Sequence, residues 1–311
     1  MKINKPSFWD TKKFSVISIL LIPFSIIYKI LLIFKRKITK VRKFNIPIIC
    51  VGNIYIGGTG KTPSAILIAN ELRSKQRNPV IVRKFYKNHF DEHYLTEHYF
   101  KNLILDKNRI NALKKAENNN FDVAILDDGY QDYRIKKDLN ILCFNSNQML
   151  GNGLVFPAGP LREDLNRIKD AHIIIVNGTK KIDFERKILD INTQCKIFYS
   201  KYSPLNIENF KNNKLMAIAG IGNPTNFFDI LSKNKLECSE KLIYPDHYEF
   251  SKNELVDLIS LANEKKLKII TTEKDYHRIK HFNLDNIDFL KVKLEIEQKE
   301  KFINEILKIY D

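Results

Sequence analysis

Ile46-Pro47-Ile48-Ile49-Cys50-Val51 runs into Gly52-Asn53-Ile54-Tyr55-Ile56-Gly57-Gly58-Thr59-Gly60-Lys61-Thr62, and Pro63-Ser64-Ala65-Ile66-Leu67-Ile68-Ala69-Asn70-Glu71-Leu72 follows. The first run is short and rich in β-branched residues, so it reads as a buried strand. The last has helical periodicity, and Pro63 suits a first helical turn. Strand, Gly-rich loop and helix in that order form the context of a phosphate-binding loop (P-loop). Glycines let backbone N–H groups face an anion, and the helix N-terminus adds partial positive charge. The expected phosphate-binding residues are Gly57, Gly58, Thr59, Gly60, Lys61 and Thr62. Lys61 reaches toward the β- and γ-phosphates of ATP, and the Thr62 hydroxyl toward Mg²⁺. One departure stands out: the common pattern has Gly five residues before Gly60, and here that position is Tyr55.

A P-loop enzyme also needs a carboxylate at a strand end for its metal shell. Phe121-Asp122-Val123-Ala124-Ile125-Leu126-Asp127-Asp128 is an apolar strand ending in two acids, with Gly129 next. Neighbouring side chains on a strand diverge. One of Asp127 and Asp128 is therefore expected on the metal and the other on a water or the loop.

Around these motifs the chain has 311 residues, 44% of them apolar types, which is enough to bury a core. Its 52 Lys+Arg against 36 Asp+Glu give a net charge of +16 and point to an acidic partner: nucleic acid, anionic lipid or a phosphorylated substrate. Lys, Asn and Ile are abundant throughout, so composition bias accounts for part of that charge. Cys50, Cys143, Cys195 and Cys238 contain no C-x-x-C. That argues against a thiolate zinc site or disulfide framework and for a reducing compartment.

The one long apolar run is Phe14 to Phe34, preceded by Lys12-Lys13 and followed by Lys35-Arg36-Lys37. As a helix it reaches about 30 Å, and Ser15, Ser18, Ser25 and Lys29 fall within about 80° of one another. No small-residue cleavage site follows, which argues against a processed signal peptide. Pro23 and Lys29 count against a simple span. The stripe and the basic flanks fit an uncleaved helix at a membrane interface.

G-N-x-x-x-G-G-T-G-K-T-P followed by Asp127-Asp128-Gly129-Tyr130-Gln131-Asp132 resembles the tetraacyldisaccharide 4′-kinase family of lipid A biosynthesis, whose loop lacks the same first glycine. Further matches follow in order. They are Asn152-Gly153 with Phe156-Pro157-Ala158-Gly159-Pro160-Leu161-Arg162-Glu163, Ala219-Gly220-Ile221-Gly222-Asn223-Pro224, Tyr244-Pro245-Asp246-His247-Tyr248, and Thr271-Thr272-Glu273-Lys274-Asp275. One region departs from the family. Where it has R-G-Y-G, a longer loop and G-D-E-P, this chain has Val82-Arg83-Lys84-Phe85-Tyr86 and a short passage to Asp91-Glu92. Leu105-Asp106 and Arg109 downstream resemble the family's next strand and its D-R pair.

The resemblance implies an ATP- and Mg²⁺-dependent kinase. It would phosphorylate the 4′-hydroxyl of a tetraacyldisaccharide 1-phosphate to give lipid IV-A, attached by its N-terminus to the cytoplasmic face of the anionic inner membrane, with no nucleic-acid partner. Carried over residue by residue, it implies Thr62, Glu92, Asp127 and Asp128 in the metal shell. Asp91 is implied as the group that orients or deprotonates the acceptor hydroxyl, His247 as its partner across a cleft, and Lys61 and Arg162 on phosphate charge. His89, His93 and His98 read instead as surface loop residues, because their spacing sets no fixed face. Gly220-Ile221-Gly222 lacks the third glycine of a dinucleotide fingerprint.

The alternation of strands and helices predicts an α/β fold: a P-loop NTPase-like core with a largely parallel sheet, plus a smaller C-terminal α/β lobe. Strands are expected near 46–51, 79–83, 102–105, 121–126, 139–144 and 172–177, with a short strand pair near 196–201. After 215 the pattern restarts as strand 215–219, helices 225–233 and 251–265, strand 267–271 and helix 274–280. A terminal helix at 297–309 ends the chain. The expected organisation is a membrane-associated helix in 1–40, a kinase core in 41–203 and the smaller lobe in 204–311. The resemblance puts the active site between the lobes, so that lobe closure would join acid and base. The rival reading is another membrane-associated P-loop ATPase or GTPase; the N-K-x-D of GTPase base recognition does not occur.

Overall fold

A computed structural model describes residues 6–11, 15–86 and 90–311; the side chain of Asp91 lies outside the described set, as do Lys12, Lys13, Phe14 and His89. From the N-terminus the elements are α1 (Val16–Ile38), β1 (Ile48–Gly52), α2 (Lys61–Ser74), β2 (Pro79–Lys84), α3 (Phe90–Tyr99), β3 (Leu103–Asp106), α4 (Arg109–Asn118), β4 (Val123–Asp127), β5 (Leu139–Asn145) and β6 (Ile173–Asn177). They continue as α5 (Ile182–Ile191), β7 (Lys196–Pro204), β8 (Leu215–Ala219), α6 (Pro224–Lys233), β9 (Cys238–Ile243), α7 (Lys252–Glu264), β10 (Lys268–Thr272), α8 (Glu273–Ile279), β11 (Ile287–Leu290), β12 (Val292–Ile296) and α9 (Lys299–Leu307).

The chain forms two compact units. The larger comprises the described residues up to Phe85, Phe100–Lys201 and Ile296–Asp311; the smaller comprises Tyr86–Tyr99 and Tyr202–Glu295. In the larger unit seven parallel strands run in the order β7-β6-β5-β1-β4-β2-β3. β1 and β4 are buried throughout, as expected for strands covered on both faces. α2 packs Ala65, Ile66, Ile68, Ala69 and Leu72 onto this sheet. Cys50 and Cys143 are buried in it as small hydrophobes, and burial pushes their thiols up to about 11 and about 12. The smaller unit has its own parallel sheet, β11-β10-β8-β9, and its own apolar core.

Several features differ from the sequence expectation. Residues 86–99, assigned to the kinase core, join the smaller unit because α3 packs along α8. Residues 296–311, assigned to the smaller lobe, join the larger, where Phe302, Ile303 and Ile306 of α9 are buried. The pair foreseen near 196–201 is the single strand β7. His93 is on α3 and 6% exposed, not in a surface loop; His98 is exposed on the same helix and stacks on Tyr94. The strands β9, β11 and β12 were not foreseen: they are short and interrupted by charged residues, Glu240-Lys241 in β9, Asp288 in β11, and Lys293 and Glu295 in β12.

α1 is long and apolar enough to cross a membrane. Its polar stripe faces protein. Ser18 and Ser25 are buried, the Ser25 hydroxyl donates to the Val155 carbonyl (2.8 Å) and accepts from the Ala158 N–H (3.0 Å), and Lys29 pairs with Asp164 at 2.5 Å. The remaining faces are exposed and apolar, among them Leu20, Phe24, Ile27, Leu31 and Phe34.

Candidate active site

The Gly-rich loop leaves the C-terminal end of β1, where a parallel α/β sheet places its ligands. Its first half is extended. Tyr55 bridges to Leu161, the Ile56 N–H donates to the Pro160 carbonyl, and the Arg162 N–H donates to the Ile54 carbonyl. This explains the missing first glycine: the position is a fully buried side chain in a strand-like pairing, and its hydroxyl donates to Asp10. Gly60 caps α2 in the left-handed region (φ 87°), where a Cβ would be strained. Asn53, fully buried, ties the turn together by donating to the Tyr55 carbonyl (2.6 Å) and the Thr59 hydroxyl (3.0 Å). Gln131 of the D-D-G-Y-Q-D motif donates to the Asn53 carbonyl from the other side (2.8 Å). Gly52 must lack a side chain, because Tyr130 Cβ sits 2.5 Å from where its Cβ would stand.

Lys61 opens α2 with its ammonium 3.8 Å from Asp128. Arg162 reaches the same carboxylate at 2.7 Å and also donates to Asn53 Oδ1 at 2.9 Å. The Arg109 guanidinium donates to the Asp128 carbonyl at 2.7 Å. Burial alone would raise the Asp128 pKa, but Lys61, Arg162 and Arg109 together hold it well below the usual carboxylate range. Its backbone is left-handed (φ 59°), a conformation that short polar side chains tolerate and that clusters at functional sites.

Asp127 occupies a different environment. In register, Arg83 of β2 lies beside Asp127 of β4, so their side chains share one face. They form a buried ion pair at 2.8 Å, and the same Arg83 nitrogen donates to the Thr62 hydroxyl at 3.1 Å. The expected metal-shell groups Thr62 and Asp127 thus converge on one cationic group. A hydroxyl and a carboxylate are the hard oxygen donors that Mg²⁺ takes, with water and phosphate oxygens completing its shell, and a bound ion would share them with Arg83. Among the described residues no cluster of three or more His, Cys, Asp or Glu side chains could hold a metal alone. Sequence reasoning gave Arg83 and Asn53 no role. Arg83 was signalled only by its place at the end of β2, and Asn53 only by the G-N pair opening the loop.

Glu92 and His247 lie in the smaller unit, and α3 carries Asp91 beside Glu92. Glu92 accepts from the Lys274 ammonium at 2.7 Å and stands 4.0 Å from His247 Nε2. His247 is left-handed (φ 57°), and its N–H donates to the Gly220 carbonyl. Arg278 Nη2 lies 3.4 Å from His247 Nδ1. A guanidinium only donates, so Nδ1 accepts and the proton of the neutral ring is on Nε2. Arg278 is held by Asp275 (2.7 Å), and Asp275 is fixed by the Gly220 N–H and the Thr272 hydroxyl. The T-T-E-K-D motif therefore sets both ends of the Glu92–His247 arrangement. α3, which carries Asp91, and His247 belong to the same unit, whereas the sequence expectation put them in separate lobes.

A parallel α/β sheet, a Gly-rich loop ending in Gly60-Lys61-Thr62 and a paired carboxylate at the next strand end define a P-loop phosphotransferase. Comparison with known proteins narrows the class. The tetraacyldisaccharide-1-P 4′-kinase family model matches residues 17–311, and the chain belongs to that family. A tetraacyldisaccharide 4′-kinase of Pelagibacter ubique is 43% identical over 314 residues, 99% of each chain. One of Rickettsia akari is 33% identical over 329 residues, 99% of this chain and 98% of that one. The crystal structure of LpxK from Aquifex aeolicus in complex with ATP superposes with a TM-score of 0.73 at 24% identity, over 95% of this chain and 100% of that one, and supports the same fold.

Proposed function

We propose that this chain moves the γ-phosphate of ATP to the 4′-hydroxyl of a tetraacyldisaccharide 1-phosphate, giving lipid IV-A. Family membership supports the reaction, and the Lys61–Asp128–Arg162 cluster beside the Gly-rich loop is the observation that carries the chemistry. In phosphoryl transfer the protein positions groups and neutralises charge more than it makes covalent bonds. The loop N–H groups and Lys61 bind the phosphates of ATP. Arg162 offsets charge developing on the transferred group, and Asp128 holds Lys61 and Arg162 in place until the nucleotide competes for them. Thr62 and Asp127 would hold Mg²⁺, which when bound neutralises charge on the β- and γ-oxygens. Glu92 keeps its assignment to the metal shell on the family resemblance. Asp91 is assigned as acceptor of the 4′-hydroxyl proton. His247, whose Nε2 stands 4.0 Å from Glu92 and 3.9 Å from Asp246, is the partner that tunes it.

The docking of α1 supports a helix lying in the membrane surface. Its contacts run from Ser18 to Lys29, a length of about 16 Å at 1.5 Å per residue. A perpendicular span would draw the polar 152–164 segment into hydrocarbon. An in-plane helix leaves that segment in the headgroup region and buries the exposed apolar faces in lipid. We assign the attachment to the cytoplasmic face of the inner membrane.

ATP turnover stimulated by the acylated disaccharide phosphate and not by DNA is the expected result; turnover indifferent to the lipid would favour another P-loop ATPase. Asp91→Ala should lower kcat by about 10²- to 10⁴-fold and change ATP affinity little. Equal losses in both would sink the base assignment.

A further inference from the structure

We propose that the larger unit carries a second anion site, a basic cleft at the opposite edge of the sheet from the Gly-rich loop, which takes the phosphodiester headgroup of an anionic bilayer lipid. The proposal rests on the reading of α1 as a helix lying in the membrane surface.

The cleft encloses about 990 Å³. It is lined by the residues that begin β5, β6 and β7, namely Leu139, Ile173 and Lys196. The strands are parallel, so this edge is a full strand length from the loop that follows β1. Its cations come from separate parts of the chain: Arg36, Lys136, Lys137, Lys169 and Lys196. Among the described residues none of these five has a carboxylate within ion-pair distance. The acids lining the cleft are engaged by other groups, two of them by Arg167 and Lys308 of the same wall. Asp138 accepts from the Ile48 N–H, Asp170 pairs with Arg167, and Glu305 pairs with Lys308. Lys137 is fixed by donating to the carbonyls of Tyr130 (3.0 Å) and Asp132 (2.8 Å), so one cation is preset in the wall. The arrangement is an excess of positive charge around a concave, water-accessible space, which suits a phosphate group.

The surroundings select the source of that phosphate. Arg36 stands in the last turn of α1, and Val41 also lines the cleft. Phe34, Ile38 and Val41 are each at least 60% exposed. Apolar side chains that enter lipid therefore adjoin the cations, with basic groups at headgroup depth and apolar groups below them. A free nucleotide has no use for that apolar border.

The test uses the full chain and vesicles of phosphatidylcholine, alone or with about one third phosphatidylglycerol, read by co-sedimentation. The wild type should bind neutral vesicles through α1 and bind the anionic ones more tightly. Lys136 and Lys169 are exposed and outside the phosphate-transfer machinery. The double variant Lys136→Gln, Lys169→Gln should lose roughly 25-fold of the anionic gain, about five-fold per basic residue, while keeping neutral binding. The comparator Lys233→Gln, Lys252→Gln, which removes two exposed lysines of the smaller unit, should keep the gain. A cleft variant that keeps the gain, or equal losses in both variants, overturns the site. A wild type that ignores neutral vesicles contradicts the α1 reading instead, and the two variants on anionic vesicles still decide the cleft.

Discussion

Lys61→Ala should lower turnover by about 10³-fold, roughly 4 kcal/mol of transition-state stabilisation, and leave the fold intact. The side chain is at the first position of α2, and its ammonium is 3.8 Å from Asp128, so it packs no core. Asp128 keeps its shorter contact to Arg162 at 2.7 Å when Lys61 is gone. The loop conformation is held by Asn53, Gln131 and the Tyr55–Leu161 bridge, none of which involves Lys61. Steady-state kinetics with a parallel thermal melt checks the claim. Turnover within tenfold of the wild type would remove Lys61 from the phosphate-binding machinery. A melting transition lowered by many degrees would mean the ion pair is structural instead.

The second large effect is on stability. Asp127→Ala should cost about 3–5 kcal/mol, because it breaks a buried ion pair from one side. Arg83 is 5% exposed and Asp127 is 2% exposed, so neither is readily compensated by water. Against a typical total of 5–15 kcal/mol, that loss is visible in a urea titration as a shift of midpoint at unchanged slope. The double variant Arg83→Met, Asp127→Leu should recover most of the stability and none of the activity, since buried pairs are replaceable by apolar residues of similar volume. An Asp127→Ala midpoint equal to the wild type would show that Arg83 is satisfied elsewhere. The pair would then carry neither the sheet nor the metal-shell assignment.

The loop, the Asp127-Asp128 strand end and the parallel sheet were legible because each is written locally, in residues adjacent along the chain. Even the Tyr55 departure was readable as a position, although its reason, a bridge to Leu161, is not local. Arg83 was not legible as a site residue. Its importance comes from the register of β2 against β4, which joins positions 44 residues apart. α3 was missed for another reason. Phe90 to Tyr99 mixes aromatic, charged and histidine residues without a clean apolar stripe, and its burial is set by α8 nearly two hundred residues later. The unit that holds α3 was misassigned with it, since chain order alone suggests that a segment between β2 and β3 stays with them. α1 was foreseen as a helix whose polar stripe fits a membrane interface; Ser25 shows that the stripe fastens the helix to the 152–158 segment.

Phosphate transfer from ATP to the lipid disaccharide is read from the position of phosphate in the product. With ATP, Mg²⁺ and tetraacyldisaccharide 1-phosphate, phosphorus NMR of the extracted lipid should show a second phosphomonoester, on the 4′ oxygen. That signal should be absent with Lys61→Ala. Hydrolysis of ATP with no phosphorus gained by the lipid, or phosphate gained at any other oxygen, would exclude a 4′-kinase.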